Sequence, residues 1–174
     1  MKYNVKRHAV VQPSDQSIRL IPLTQGKNAI VDAADYEWLM KTNWHARKDD
    51  KTGAFYAETN IYVGNGKCDR GYMARFILDL GLSELADHVN GNTLDNRRCN
   101  LRASTKAQNR FNSKKPSCNS SGYKWVTKRY SGWAARVTFR GVLHELGTYA
   151  TPLEAHEVAY DAAKRFHGEF ARPV

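Results

Sequence analysis

The 174-residue sequence predicts an α+β protein. An N-terminal mixed segment leads into a strand, loop, strand and helix over residues 85–112, and a small three-stranded antiparallel sheet packed on one helix follows. Three observations carry this. Between Asp87 and Asn112 the chain gathers two aspartates, one histidine and six asparagines, with few large apolar side chains. From Tyr123 apolar and polar residues alternate, as on a half-buried strand. From Thr151 apolar residues recur at helical spacing.

Taken in order, Ser17–Leu23 reads as a strand and Ala29–Val31 as a second. Asp32 is placed to cap a helix over Ala33–Lys41, where Tyr36, Leu39 and Met40 share a face. Trp44–Arg47 and Phe55–Tyr62 read as strands either side of a polar turn. The turn Gly64-Asn65-Gly66 leads to a helix near Tyr72–Leu80, with Met73, Phe76, Ile77 and Leu80 in one stripe and Gly81 as its stop.

Leu85 and Ala86 deliver Asp87 and His88 to the end of a strand. Gly91, between Asn90 and Asn92, permits the left-handed turn that sends the chain through a polar loop into a second strand around Cys99–Ala103. Thr105 and Gln108 form a capping-box pattern, and Asn109 lies one turn inside the helix they open. Asp87 and Asn109 are hard oxygen donors of the type that holds a divalent cation, and His88 stands beside them as a base.

Residues 113–121 are polar and carry proline, which reads as a linker between a first domain over 1–112 and a second over 122–174. In the second, Tyr123–Arg129, Trp133–Arg140 and Leu143–Tyr149 read as strands. Along the middle one Ala135, Val137 and Phe139 form an apolar set and Arg136, Thr138 and Arg140 a polar one. Thr151, Pro152 and Glu154 signal a helix start, and Gly168 follows its last turn.

The net charge is +10, and it is uneven. Residues 85–115 hold 7 basic side chains against 2 acidic, and residues 116–143 hold 5 against none. A polyanion is the partner such a field attracts. Cys68, Cys99 and Cys118 are too few and too scattered for a disulfide framework or a zinc cluster, so no zinc is expected. No apolar run reaches the roughly 20 residues of a membrane span, so the expectation is a soluble, cytoplasmic protein.

The run Asp87-His88-x-Asn90-Gly91-x-x-x-Asp95-Asn96-Arg97-x-x-Asn100-Leu101-Arg102, with Asn109 beyond it, resembles the HNH motif, the ββα-metal finger of phage endonucleases. The resemblance implies a site-directed, homing-type DNA endonuclease, a hydrolase using one Mg²⁺ or Mn²⁺, with a phage-infected or bacterial cell as its setting. It makes His88 the general base, Asp87 and Asn109 the metal ligands, and Asn100 the brace of the loop. Arg97, Arg98, Arg102 and Arg110 are the basic residues around that site and candidate DNA contacts. The partner expected is double-stranded DNA, with no membrane and no small-molecule substrate. Ile21-Pro22-Leu23-Thr24, Val31-Asp32, Leu39 and Trp44 also resemble the front end of phage HNH proteins. Their Met-His-Arg is here Met73-Ala74-Arg75. That departure keeps an alternative in view, a DNA-binding regulator that retains the scaffold without cutting.

Residues 122–172 resemble the apetala-two, or ethylene-response-factor, DNA-binding domain through Gly122-Tyr123, Trp133-Ala134-Ala135, Leu146-Gly147-Thr148-Tyr149 and Ala159-Tyr160-Asp161-Ala162-Ala163. That resemblance implies a sheet seated in the major groove, with Lys124, Arg129 and Arg136 at or beside contact positions and Thr138 and Arg140 on the same basic face. Thr127, Arg136 and Glu145 depart from its common residues, which implies a different target sequence.

Overall fold

In the computed structural model, residues 7–81, 83–112 and 119–172 are described, and the chain divides into two compact units, Met1–Thr105 and Lys106–Val174. Most of the expected linker lies outside the described residues. The division falls ahead of the boundary read from the sequence, which lay after residue 112.

The first unit opens with β1 (Ile18–Pro22) paired antiparallel to β2 (Asn28–Asp32). The helix α1 (Ala33–Leu39) follows at once. Asp32 sits at its N-cap position but makes no side-chain cap bond, because its carboxylate accepts instead from the Arg98 backbone N–H at 2.7 Å. The strands β3 (His45–Lys48), β4 (Phe55–Gly64) and β5 (Lys67–Tyr72) form a three-stranded antiparallel sheet in that order. The strand β5 was not legible, since Lys67-Cys68-Asp69-Arg70-Gly71-Tyr72 has no apolar alternation.

The helix α2 (Met73–Leu78) is shorter than the expected one. It ends at Asp79, in the left-handed conformation, two residues before the Gly81 expected to stop it. Ala74 is 4% exposed and belongs to the core formed by Ile21, Leu23, Val31, Leu39, Trp44, Met73 and Ile77. Alanine there is a packing residue, and the bulkier imidazole of the family pattern would have to displace core atoms. The unit closes with β6 (Leu85–His88) paired antiparallel to β7 (Leu101–Ser104), in a register that sets Asp87 opposite Arg102.

The second unit begins with α3 (Lys106–Asn112). The strands β8 (Val126–Arg129), β9 (Gly132–Phe139) and β10 (Val142–Tyr149) form an antiparallel sheet with β9 in the middle. The long helix α4 (Pro152–His167) lays Ala155, Ala159 and Ala163 on Val126, Ala135 and Val137. Its start is fixed by a capping box in which the Thr151 hydroxyl accepts from the Glu154 N–H and Glu154 accepts from the Thr151 N–H. Phe111 of α3 stacks on His167, with ring centroids 3.5 Å apart, so α3 packs with this unit. No described helix is long and apolar enough to cross a membrane.

Lys124 departs from its expected role as a DNA contact. It is 7% exposed, and its ammonium donates to the main-chain carbonyls of Phe111 and Arg172. Burial, then the charge of Arg172, push this lysine down to about 8. The unfolded chain, whose lysine titrates near 10.5, keeps its proton over a range where the folded unit has released it. The penalty is fully felt below about pH 8 and fades as pH rises toward 10.5. Urea titrations of wild type and Lys124→Met should therefore shift in favour of wild type between about pH 7.5 and about pH 9.5. A constant difference between the two proteins would contradict the depressed lysine.

Candidate functional site

The polar loop between β6 and β7 is built almost entirely from the side chains that make it polar. Gly91, at φ 69°, takes the turn, and its N–H donates to the His88 carbonyl at 2.8 Å. Asn92 N–H donates to Asn90 Oδ1 at 2.7 Å, a local turn of the kind asparagine favours. Asn100 then spans the loop. Its Oδ1 accepts from Asn90 N–H at 2.9 Å and its Nδ2 donates to the Asp95 carbonyl at 2.7 Å.

The loop is also tied to the opening of the chain. Ile30 N–H donates to the Leu94 carbonyl and Asn96 N–H to the Ile30 carbonyl, at 2.8 and 2.7 Å. Thr93 Oγ1 donates to the Phe55 carbonyl at 2.6 Å. Arg98 makes a two-pronged contact with Asp35, both bonds 2.8 Å.

Asp87 and His88 end β6, 3% and 7% exposed. Arg102 Nε donates to Asp87 Oδ2 at 2.8 Å and a second guanidinium nitrogen lies 2.8 Å from the same oxygen. His88 Nε2 is 3.2 Å from Asn96 Oδ1. An amide oxygen only accepts, so Nε2 carries the proton and Nδ1 keeps the lone pair. Burial pushes the imidazole below its ordinary value, against the opposing pull of the Asn96 hydrogen bond and the charges of Asp87 and Asp95. His88 is thus a neutral base at neutral pH, next to a buried carboxylate.

The basic residues expected around the site divide into two groups. Arg97 clamps Asp95 through two bonds of 2.7 Å, and that contact holds the Asp95 carboxyl below the usual range. Arg98 does the same for Asp35. With Arg102 on Asp87, three of the four arginines expected around this loop are engaged in holding carboxylates of this unit. Arg110 and Asn109 lie exposed on α3, in the second unit. On the second sheet, Arg136 and Arg129 share Glu145 Oε1 at 2.6 and 3.4 Å, while Thr138 and Arg140 are exposed.

Sequence reasoning missed Asn96 as the partner of the histidine and Asp95 as the loop's anchor, although both belong to the run that drew attention. It also missed Asp32 and Asp35, whose partners lie more than sixty residues away. Among the described residues no group of three or more His, Cys, Asp and Glu is placed to hold a metal ion. A cation on Asp87 would share that carboxylate with Arg102 and complete its shell with neutral oxygens, which is the donor chemistry of a hard ion.

Comparison with known proteins finds relatives for about half of this chain. An uncharacterized HNH endonuclease of Acanthamoeba polyphaga mimivirus is 34% identical over 87 residues, 50% of this chain and 45% of that protein. A protein named as a nuclease is therefore a relative, although the chain spans less than half of its length. Protein 3.8 of Escherichia phage T7 is 34% identical over 88 residues, 49% of this chain and 72% of that protein. The chain belongs to the family of phage T7 protein 3.8. No family profile matches the chain, and no solved structure matches it.

Proposed function

We propose that the protein is a metal-dependent DNA endonuclease of HNH type. The observation that carries this is the pairing, at the end of one strand, of a buried carboxylate with a neutral histidine whose tautomer is set by Asn96. In this reading His88 Nδ1 takes the proton from the water that attacks phosphorus. Asp87 would help hold the divalent ion, whose charge would offset that building on the phosphate and the departing 3′ oxygen. Asn100 keeps the loop in shape, and Asn96 keeps the ring from turning. The products carry 5′-phosphate and 3′-hydroxyl ends. The second sheet would dock in a major groove, with Thr138 and Arg140 its most accessible side chains and Arg129 and Arg136 presented over Glu145.

The test is incubation of the full chain with supercoiled plasmid. Nicked or linear product is expected with Mg²⁺ or Mn²⁺, and none with EDTA, while a gel-shift in EDTA still shows binding. DNA retarded but never cut, whatever the metal, would leave the regulator and remove the nuclease.

A further inference from the structure

The sheet formed by β3, β4 and β5 has two unlike faces. One contributes Ala46 and Ala57 to the core. On the other, the register sets His45 and Tyr72 either side of Glu58, and Arg47 beside Tyr56. Glu58 is buried, and three basic side chains fan around it: His45 Nε2 at 3.5 Å, Arg47 at 3.4 Å and Arg70 Nε at 4.0 Å. Tyr56 and Tyr72 meet edge to face with ring centroids 5.9 Å apart.

One carboxylate does not need two guanidinium groups. A guanidinium has five N–H donors, and these long contacts to Glu58 occupy few of them. Arg70 is 57% exposed and Arg47 32%. The face therefore sets two guanidinium groups with donors to spare over one buried carboxylate, with Asp50 also acting on Arg47, and carries aromatic rings beside them, the combination that grips a sugar–phosphate strand. It is continuous with the candidate active loop. Thr93 of that loop is bonded to the Phe55 carbonyl, one residue before Tyr56, and Tyr56 feels the charge of Asp49 and, more weakly, that of Asp87.

We propose that this sheet face binds the sugar–phosphate backbone of the DNA that enters the Asp87–His88 site, with Arg47 and Arg70 each holding a phosphate. The proposal rests on the nuclease reading for the identity of its ligand. Glu58 keeps the two arginines extended toward the strand, and the sheet is a second grip on DNA, within the first unit.

The experiment measures binding of the full chain to a labelled duplex in EDTA across a salt series, with plasmid cutting in Mg²⁺ assayed in parallel. Arg47→Gln and Arg70→Gln should each lower the slope of log affinity against log salt by about one and weaken binding roughly five- to tenfold at fixed salt. Arg70→Lys should keep the slope. Circular dichroism and a melting curve accompany each variant. If Arg47→Gln fails to fold, Arg70→Gln decides, since its side chain is the more exposed. Unchanged slope and affinity in a folded Arg70→Gln overturn the proposal, and a wild type that still cuts leaves the nuclease reading standing. Lowered slopes with no cutting by wild type uphold the grip and overturn the nuclease reading. A wild type that binds no DNA overturns both.

Discussion

Replacing His88 by alanine is expected to slow DNA cleavage by about 100- to 10,000-fold, the range that a positioned general base contributes. DNA binding in EDTA should change little, because the ring is largely buried and carries no charge for the phosphates at neutral pH. The substitution also strips Asn96 Oδ1 of its partner, a loss of roughly 1 to 3 kcal/mol. The melting temperature must therefore be recorded, and rates compared well below it. Single-turnover cutting of one plasmid by both proteins is the direct measurement. Equal rates would show that His88 does not take the proton, and the assignment of Asp87 beside it would go as well.

Arg102→Ala is expected to destabilise the first unit by about 3 to 5 kcal/mol, because it leaves a carboxylate buried without its cation. The sequence offered Arg102 as a surface contact for DNA, for which removal would have cost little stability. The structure makes it the cross-strand partner of Asp87, with the two side chains 11% and 4% exposed. A drop of more than about 10 °C in the melting temperature is the corresponding observation. If Asp87 holds a divalent ion, millimolar Mg²⁺ should return part of that loss, since a ligand that binds only the folded state stabilises it. A change below about 1 kcal/mol would show that the pair behaves like an exposed one.

The elements that follow a simple period were legible: the strands of the opening hairpin, the strand that ends in Asp87 and His88, and the capped helix at the C-terminal end. The strand over Lys67–Tyr72 was not, because it is polar throughout and pairs as an outward ribbon. Its Gly71 lies so close under Phe76 and Ile61 that a β-carbon would stand 2.6 and 2.8 Å from them. In the candidate site the residue types were legible and their partners were not. Arg97, Arg98 and Arg102 register in a sequence only as positive charge, and only the fold supplies Asp95, Asp35 and Asp87 to absorb it. The helix carrying Asn109 shows the same limit. Its capping pattern at Thr105 and Gln108 is local, whereas the packing of Phe111 on His167 joins residues 56 apart and follows no local pattern.

The hydrogen bonds that fasten the loop to β2 and α1 set an order of events during folding. The link from Arg98 to Asp32 joins residues 66 apart in sequence, and contacts of such separation close only after the entropy of the intervening chain has been overcome. The opening hairpin and the helix after it can form while the chain is being made, but Asp87, His88 and Asn100 acquire their geometry only when the loop returns to strand β2. A ribosome-bound chain that has emerged only as far as His88 thus lacks Asn96, Asn100 and Arg102 together, and has no ordered site. The buried Asp87–His88 pair and the loop that braces it therefore stay unordered until the chain has emerged past Arg102.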